Sequence, residues 1–132
     1  MSCFSVHLDF PGGKRVDARI GPFTLQTDQS LSRGGEASAP EPFDLFLASL
    51  ATCAGVYALS FCQTREVSTD GLRMVMDCEF DEQQKRYSSL TLRVALPADF
   101  PDKYRAGLLR AIDLCAVKRH LLEPPQIVVQ LE

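Results

Sequence analysis

Residues 42–62 read PFDLFLASLATCAGVYALSFC, and this run decides the fold. It carries a single charge, Asp44, and one thiol near its middle, Cys53. The side chains around that thiol are small: Ala48, Ser49, Ala51, Thr52, Ala54 and Gly55. A helix that is apolar on nearly every side must be covered by other parts of the protein, and small side chains let another backbone approach the sulfur. The run therefore predicts a covered central helix and makes Cys53 the first candidate for chemistry.

The same run is long enough to cross a membrane, since about twenty apolar residues suffice. Its polar and small residues dilute its hydrophobicity, however, and the chain has only one such run. We therefore expect a helix wrapped by sheet or by a second subunit, and no membrane association.

Length and composition indicate one domain that spans residues 1–132. The net charge of −3 and a pI near 5.4 give no basic surface for nucleic acid. The amino terminus, MSCFSVHLDFPGGK, lacks the basic and apolar segments of a secretory signal, and the five scattered cysteines contain no CxxC pair. These features favour a reducing, cytoplasmic compartment and argue against a disulfide framework or a structural zinc site. No cofactor and no metal are expected.

The amino-terminal third predicts a meander of three strands. Residues 4–10 alternate as a strand does, and residues 16–20 and 23–27 follow after turn signals. Residues 28–41 have no periodicity and are rich in Gly, Ser and Pro, which is typical of a functional or crossover loop. A helix then begins at Pro42 and runs to about Arg65.

The remainder predicts two strands, a second helix and a last strand. Residues 72–80 and 87–96 alternate, and residues 101–113 have the spacing of an amphipathic helix. The helical pattern either continues or restarts through CAVKRHLL, residues 115–122. The segment QIVVQL, residues 126–131, is expected to close the chain as a strand. The elements together predict an α+β fold.

Of the five thiols, Cys53 and Cys115 are the candidates for reactivity, because each lies on a helical pattern with small neighbours. Cys3, Cys62 and Cys78 are better explained by packing, the usual role of a free cysteine. A thiol becomes reactive when a cation or a helix amino terminus lowers its pKa. Cys115 has Lys118 and Arg119 within one helical turn, whereas the cations that could reach Cys53 are Arg19, Arg33 and Arg65.

The other titratable residues leave alternatives open. His7 and His120 are the only imidazoles, and neither is well placed as the base of a Cys–His pair, so redox use of a thiolate fits better than acyl transfer. Asp44 is either a solvated first-turn residue favoured by the helix dipole or the partner of an arginine beside the thiolate.

The order of these motifs resembles the OsmC/Ohr family, the osmotically inducible and organic-hydroperoxide-resistance proteins. The resemblance lies in a sheet meander, the proline-led helix PFDLFLASLATC, and a later helix cysteine in CAVK, and it spans essentially the whole chain. Two departures indicate a divergent OsmC-like branch. The family usually has an acid directly after the helix proline, where this chain has Phe43 before Asp44, and a Cys-Pro-Val-Ser-like second motif in place of CAVK.

The resemblance implies an α+β fold built as an intertwined homodimer around two long helices. It also implies a thiol-dependent peroxidase that reduces organic or hydrogen peroxides in oxidative-stress defence. Cys53 would be the peroxidatic residue and Cys115 the resolving one, with Arg19 (or Arg33) and Asp44 as the supporting ion pair. The disulfide so formed would be reduced by an external dithiol or a lipoylated protein.

Two other functions remain open from the residues. The aromatic side chains of the long run, Phe43, Phe46, Tyr57 and Phe61, suit a dimeric protein that binds a small apolar molecule without catalysis. A weaker alternative is metal binding by Cys53, Cys115 and His120.

Overall fold

The computed structural model describes all residues, Met1 to Glu132, as two compact units, Met1–Ala48 and Ser49–Glu132. The expected α+β architecture is confirmed: three amino-terminal strands precede a long helix, two further strands and shorter helices. The boundary between the units falls within the long helix, α1, Pro42–Thr64. The assignment of residues 1–132 to one domain stays a prediction.

The first unit is built on an antiparallel sheet with the strand order β1-β2-β3. The strands are β1, His7–Gly12; β2, Arg15–Ile20; and β3, Phe23–Thr27. The turn between β1 and β2 uses Gly13 at φ 59°, a left-handed conformation that only glycine adopts without strain. The predicted meander is therefore confirmed, with β1 beginning at His7 rather than at Phe4.

The loop over residues 28–41 is fixed by a buried carboxylate. Asp28 accepts hydrogen bonds from the N–H of Gln29 at 2.7 Å and from the N–H and hydroxyl of Ser38 at 3.1 and 2.6 Å. These hydrogen bonds lower the pKa of Asp28 to about 2, and the bond from the Ser38 hydroxyl is the largest cause. A Cβ at Gly35 would lie 2.1 Å from the Gln29 carbonyl oxygen, so only glycine fits this turn of the loop.

The second unit contains the rest of α1, an antiparallel hairpin and two short helices. These elements are β4, Arg73–Asp81; β5, Arg86–Ala95; α2, Arg105–Asp113; and α3, Ala116–Leu122. One face of β5 is half-buried and the other exposed, as the alternating sequence predicts.

The apolar core of this unit lies between α1, α2 and the hairpin. Its fully buried centre is Leu108, and Ile112 lies one helical turn further along α2. Helix α1 contributes four residues to this core: Ala54, Ala58, Phe61 and Cys62. The two helices approach closely at Gly107, where a Cβ would come within 3.1 Å of the Phe61 ring.

Three sequence expectations need correction or completion. Residues 101–113 do not form one helix, because a 3₁₀ turn at Asp102–Tyr104 precedes α2. The helical pattern restarts at α3 rather than continuing. Residues 126–131 form no strand, since a strand needs a hydrogen-bonded neighbour and no strand of the chain pairs with them. Ile127 and Val129 are 85% and 95% exposed there.

Helix α1 is long and apolar enough to cross a membrane, with a mean hydropathy of 1.8 over its most apolar window. Of that window, 22% is buried within the chain. One such helix is a weak indication, because the core helix of a soluble protein has the same length and composition.

Candidate thiol site

Cys53 lies near the middle of α1 and is half-buried at the edge of the core. Its neighbour Ala54 is buried, and Gly55 has open space where a side chain would be. Cys62, on the same helix, is fully buried, and burial raises its pKa. The small residues of α1 thus leave room at Cys53 for a second element, while Cys62 belongs to the core.

Cys115 is the N-cap residue that precedes α3. The chain leaves α2 through a turn in which the N–H of Cys115 donates to the Ile112 carbonyl at 3.2 Å. Cys115 then has an extended backbone (φ −48°, ψ 133°), and its own carbonyl accepts the N–H of Arg119 at 3.0 Å. This is the geometry of an N-cap, so Cys115 precedes a helix rather than lying within one.

The amino end of α3 faces the sulfur of Cys53. The backbone N–H of Val117 donates to this sulfur, and the N–H of Ala116 adds a second such contact. Neither N–H has an acceptor within α3, because the first turn of a helix leaves its donors free. The N–H of Val117 is the main cause of a lowered Cys53 pKa, although partial burial opposes it. The arrangement favours a thiolate at Cys53.

The pKa of Cys115 is shifted in the opposite direction to that of Cys53, although the two side chains are in contact. Cys115 is 1% exposed, and burial is the main cause that raises its pKa. Its thiol hydrogen-bonds to Cys53, which lowers the pKa of Cys53 and raises that of Cys115 further. The pair therefore combines a thiol of lowered pKa on α1 with a thiol of raised pKa at the residue that precedes α3.

Arg119 is the cation that acts on Cys53, and its positive charge contributes to the lowered pKa. The sequence places Arg119 beside Cys115, and only the packing of α3 against α1 brings it to the other sulfur. Lys118, the other cation of this turn, forms an ion pair with Asp113. The sequence shows only that Arg119 lies one helical turn from Cys115, and no local signal indicates that it acts on Cys53.

The other arginines proposed from the sequence have partners of their own. Arg19, on β2, pairs with Asp9 at 2.8 Å, and Arg33 pairs with Glu41 at 3.8 Å. Arg65 lies over the Phe61 ring, with its guanidinium carbon 3.6 Å from the ring centroid.

Asp44 accepts the N–H of Glu41 at 3.0 Å. This contact is the first-turn role that the sequence allowed, since an acidic side chain at a helix start satisfies a free N–H. Arg19 and Asp44 belong to the first unit and the two thiols to the second. The part of Arg19 and Asp44 in catalysis stays a prediction.

A cavity of about 710 Å³ adjoins Cys115 within the second unit. Cys115 lines it, together with Leu50 and Ala54 of α1. Its walls are mainly apolar, and Arg110, Asp113 and Lys118 supply its charged groups. The cavity has the size and lining of a site for a small apolar molecule.

Neither imidazole is among the groups that shift the pKa of Cys53 or Cys115. His120 is held by a bond between Nδ1 and the Ala116 carbonyl at 2.7 Å, and His7 is exposed on β1. No group of three or more His, Cys, Asp or Glu side chains is arranged to hold a metal ion. The geometry therefore favours the redox chemistry of a thiol pair over a Cys–His or metal site.

The chain is similar to a known protein family. A family model described as OsmC-like protein matches residues 35–130. No curated protein matches the chain.

Solved structures share the fold at low sequence identity. A Psychrobacter arcticus 273-4 protein, named for osmotic stress induction and detoxification response, is 18% identical with a TM-score of 0.75 over 90% of this chain and 88% of that one. The organic hydroperoxide resistance protein OsmC from Legionella pneumophila is 18% identical, with a TM-score of 0.57 over 92% and 91%. The organic hydroperoxide resistance protein OhrB of Bacillus subtilis is 17% identical, with a TM-score of 0.53 over 88% and 89%.

Proposed function

The chain belongs to the OsmC-like protein family, and on this premise we propose that it is a thiol-dependent peroxidase acting through Cys53 and Cys115. The observation that carries the proposal is the contact between two thiols whose pKa values are shifted in opposite directions. A peroxidatic thiol must be ionised, whereas a thiol that attacks later does better to stay protonated until then.

In the first step the Cys53 thiolate attacks the terminal oxygen of a hydroperoxide. An S–O bond forms as the O–O bond breaks, and two electrons pass from sulfur to the peroxide. The alkoxide takes a proton from solvent and leaves as the alcohol, or as water when the substrate is hydrogen peroxide. Cys53 becomes a sulfenic acid, the first stage of thiol oxidation.

In the second step Cys115 attacks the sulfenic sulfur of Cys53. An S–S bond forms, the S–O bond breaks, and the hydroxyl group leaves as water with the proton of the Cys115 thiol. The hydrogen bond between the two side chains supports this step, because the attacking sulfur is already next to its target. An external dithiol, free or carried by a lipoylated protein, then returns the two electrons and restores both thiols.

The substrate class is organic or hydrogen peroxide, and the biological role is defence against oxidative stress. The names of the Legionella and Bacillus proteins, which describe organic hydroperoxide resistance, support this choice. The apolar cavity beside Cys115 favours an organic peroxide over hydrogen peroxide, since an alkyl group gains free energy on leaving water.

The protein acts as a cytoplasmic homodimer in this proposal. Apolar side chains of both units are unusually exposed, among them Phe4 and Phe10 at 77% each and Phe23 at 68%. The only buried residues of the first unit are Thr27 and Asp28, so this unit has no apolar core of its own. A second copy of the chain would cover these side chains, and size-exclusion chromatography with light scattering tests for it.

A peroxide-consumption assay tests the function. The wild-type protein is supplied with cumene hydroperoxide or hydrogen peroxide and with dihydrolipoamide, and loss of peroxide is followed. Cys53→Ser is expected to abolish turnover, whereas the matched control Cys78→Ser, at an exposed thiol of β4, keeps the wild-type rate. Equal rates in wild type and Cys53→Ser, or no turnover in either, would refute the proposal.

The cavity also favours a second candidate function, the binding of a small apolar molecule without catalysis. Its volume of about 710 Å³ lies within the range usual for ligand sites. Native mass spectrometry that finds a retained ligand, together with a Cys53 thiol of ordinary reactivity, would support this function over the peroxidase.

A further inference from the structure

The cavity beside Cys115 has a thioether in its wall, that of Met76 on β4. Met76 is paired with Leu92 of β5, and both residues are half-buried and line the cavity. The other methionines have different surroundings: Met74 packs against the apolar core outside the cavity lining, and Met1 is exposed at the amino terminus. Of the three thioethers, that of Met76 is therefore the one placed against a molecule in the cavity.

A thioether reacts with a hydroperoxide without first losing a proton, so it needs neither a base nor a cation. The sulfur attacks the terminal oxygen of the peroxide, an S–O bond forms as the O–O bond breaks, and two electrons pass from sulfur to the peroxide. The alkoxide leaves as the alcohol with the proton of the transferred oxygen, and methionine becomes methionine sulfoxide. The requirement that remains is proximity, which a bound peroxide would have to Met76.

Oxidation of Met76 would change what the cavity binds. The sulfoxide oxygen is a hydrogen-bond acceptor, and the hairpin side of the cavity wall is apolar, formed by Leu90, Leu92 and Val94. An apolar ligand that displaces water from this oxygen leaves it without a partner, which costs free energy. The sulfoxide therefore opposes the binding of apolar molecules in the same cavity.

We propose that Met76 is a modification site of this protein: a hydroperoxide held in the cavity oxidises its thioether, and the sulfoxide weakens the binding of further apolar molecules. The inference rests on the proposed function for one point, that the ligand of the cavity is an organic peroxide. During turnover Cys53 consumes the peroxide. The modification is therefore expected once the reductant is exhausted, when the thiol pair is oxidised and the peroxide persists.

The test compares two oxidants on the Cys53→Ser protein, in which the peroxide is not consumed at the thiol pair. The protein is treated with cumene hydroperoxide or with hydrogen peroxide, and peptide mapping measures the sulfoxide at each methionine. Met1, which is exposed, reports the intrinsic strength of each oxidant. Because the apolar cavity concentrates the aromatic peroxide, the ratio of Met76 to Met1 oxidation should be at least about threefold higher with cumene hydroperoxide.

Met74 is the matched control, since it lies two residues away on the same strand and outside the cavity lining. Its ratio to Met1 should not rise with cumene hydroperoxide. An equal Met76 ratio for the two oxidants, or the same rise at Met74, would overturn the inference. Wild-type protein without reductant gives the same comparison after its thiol pair is oxidised, so the test does not depend on the folding of Cys53→Ser.

The effect on binding is measured with 2-phenyl-2-propanol, the alcohol formed from cumene hydroperoxide, in an NMR titration. Oxidation should raise its Kd by about threefold to tenfold in the wild type. Met76→Leu nearly keeps the volume of the side chain and removes the sulfur, so oxidation should leave its Kd unchanged. An unchanged Kd in the oxidised wild type, or an equal rise in Met76→Leu, would contradict the assigned effect of the sulfoxide.

These outcomes are distinct from those of the peroxidase assay. Preferential oxidation of Met76 in a protein that shows no peroxide turnover would refute the proposed function and leave the modification site standing. Turnover through Cys53 without preferential oxidation of Met76 would refute the modification site alone.

Discussion

Cys115 has two proposed roles: its thiol donates a hydrogen bond to the Cys53 sulfur, and its sulfur forms the disulfide. Two substitutions at Cys115 distinguish these roles. Cys115→Ala removes both the thiol that donates to the Cys53 thiolate and the sulfur that would form the disulfide. Cys115→Ser removes only the second, because a hydroxyl donates at least as well as a thiol. The two variants therefore differ in a single hydrogen bond.

The size of the expected difference follows from the strength of that bond. A hydrogen bond to a charged group contributes about 1.5–3 kcal/mol, and a thiol is a weak donor, so the lower end applies. This value corresponds to about a tenfold smaller thiolate population of Cys53 at neutral pH. Because Cys115 is 1% exposed, the alanine also leaves a small void and lowers the free energy of unfolding, by about 1 kcal/mol.

Alkylation of Cys53 by iodoacetamide at neutral pH measures the thiolate population directly. We expect Cys115→Ala to react about tenfold more slowly than wild type and Cys115→Ser to react within about twofold of it. Thermal unfolding confirms that both variants are folded. Equal rates for the alanine and serine variants would refute the assigned direction of the hydrogen bond.

Three further predictions concern stability and the start of α3. Leu108→Ala, at a fully buried position of α2, should lower the free energy of unfolding by about 2–5 kcal/mol in urea titration, and a loss below about 1 kcal/mol would contradict the assigned core. The lowered pKa of Asp28 means that its carboxylate stabilises the fold fully above its ordinary pKa of 3.8, and that this contribution is lost as pH falls toward about 2. Asp28→Asn should therefore be less stable near neutral pH and lose less stability on acidification than wild type, whereas parallel stability curves would contradict the prediction. Ala116→Pro should keep or raise the melting temperature, because the extended backbone of Cys115 suits a following proline. The same variant should slow alkylation of Cys53, because the sulfur loses the hydrogen bond from the Ala116 N–H. A lowered melting temperature or an unchanged alkylation rate would contradict this prediction.

The sequence predicted the parts of the fold that depend on local pattern. Helix α1 was expected from Pro42 to about Arg65 and ends at Thr64, because a proline start and a continuous apolar run leave little choice. The alternation in β5 likewise predicted its exposed and half-buried faces. Residues 126–131 have the same strand-forming composition, but a strand also needs a neighbouring edge, which composition does not encode.

The candidate site depends on contacts between distant segments, and there the sequence was less complete. Helical pattern and small neighbours selected Cys53 and Cys115, and the family resemblance supplied their expected roles. The structure brings the two side chains together. The spacing from Ile112 to Cys115 continues a helical pattern, so periodicity could not show that the helix ends and that Cys115 caps the next one. The sequence associated the charge of Arg119 with Cys115, the nearer thiol along the chain, because no local pattern shows which residue of α1 is in contact with α3.

The most direct test of the thiol-pair account is to identify the product of one equivalent of peroxide. The protein is fully reduced, treated with cumene hydroperoxide, alkylated, digested without reductant and analysed by mass spectrometry. The account predicts a peptide pair linked through Cys53 and Cys115, with Cys3, Cys62 and Cys78 still alkylated as thiols. Unmodified Cys53, or oxidation of Cys53 without a link to Cys115, would contradict it.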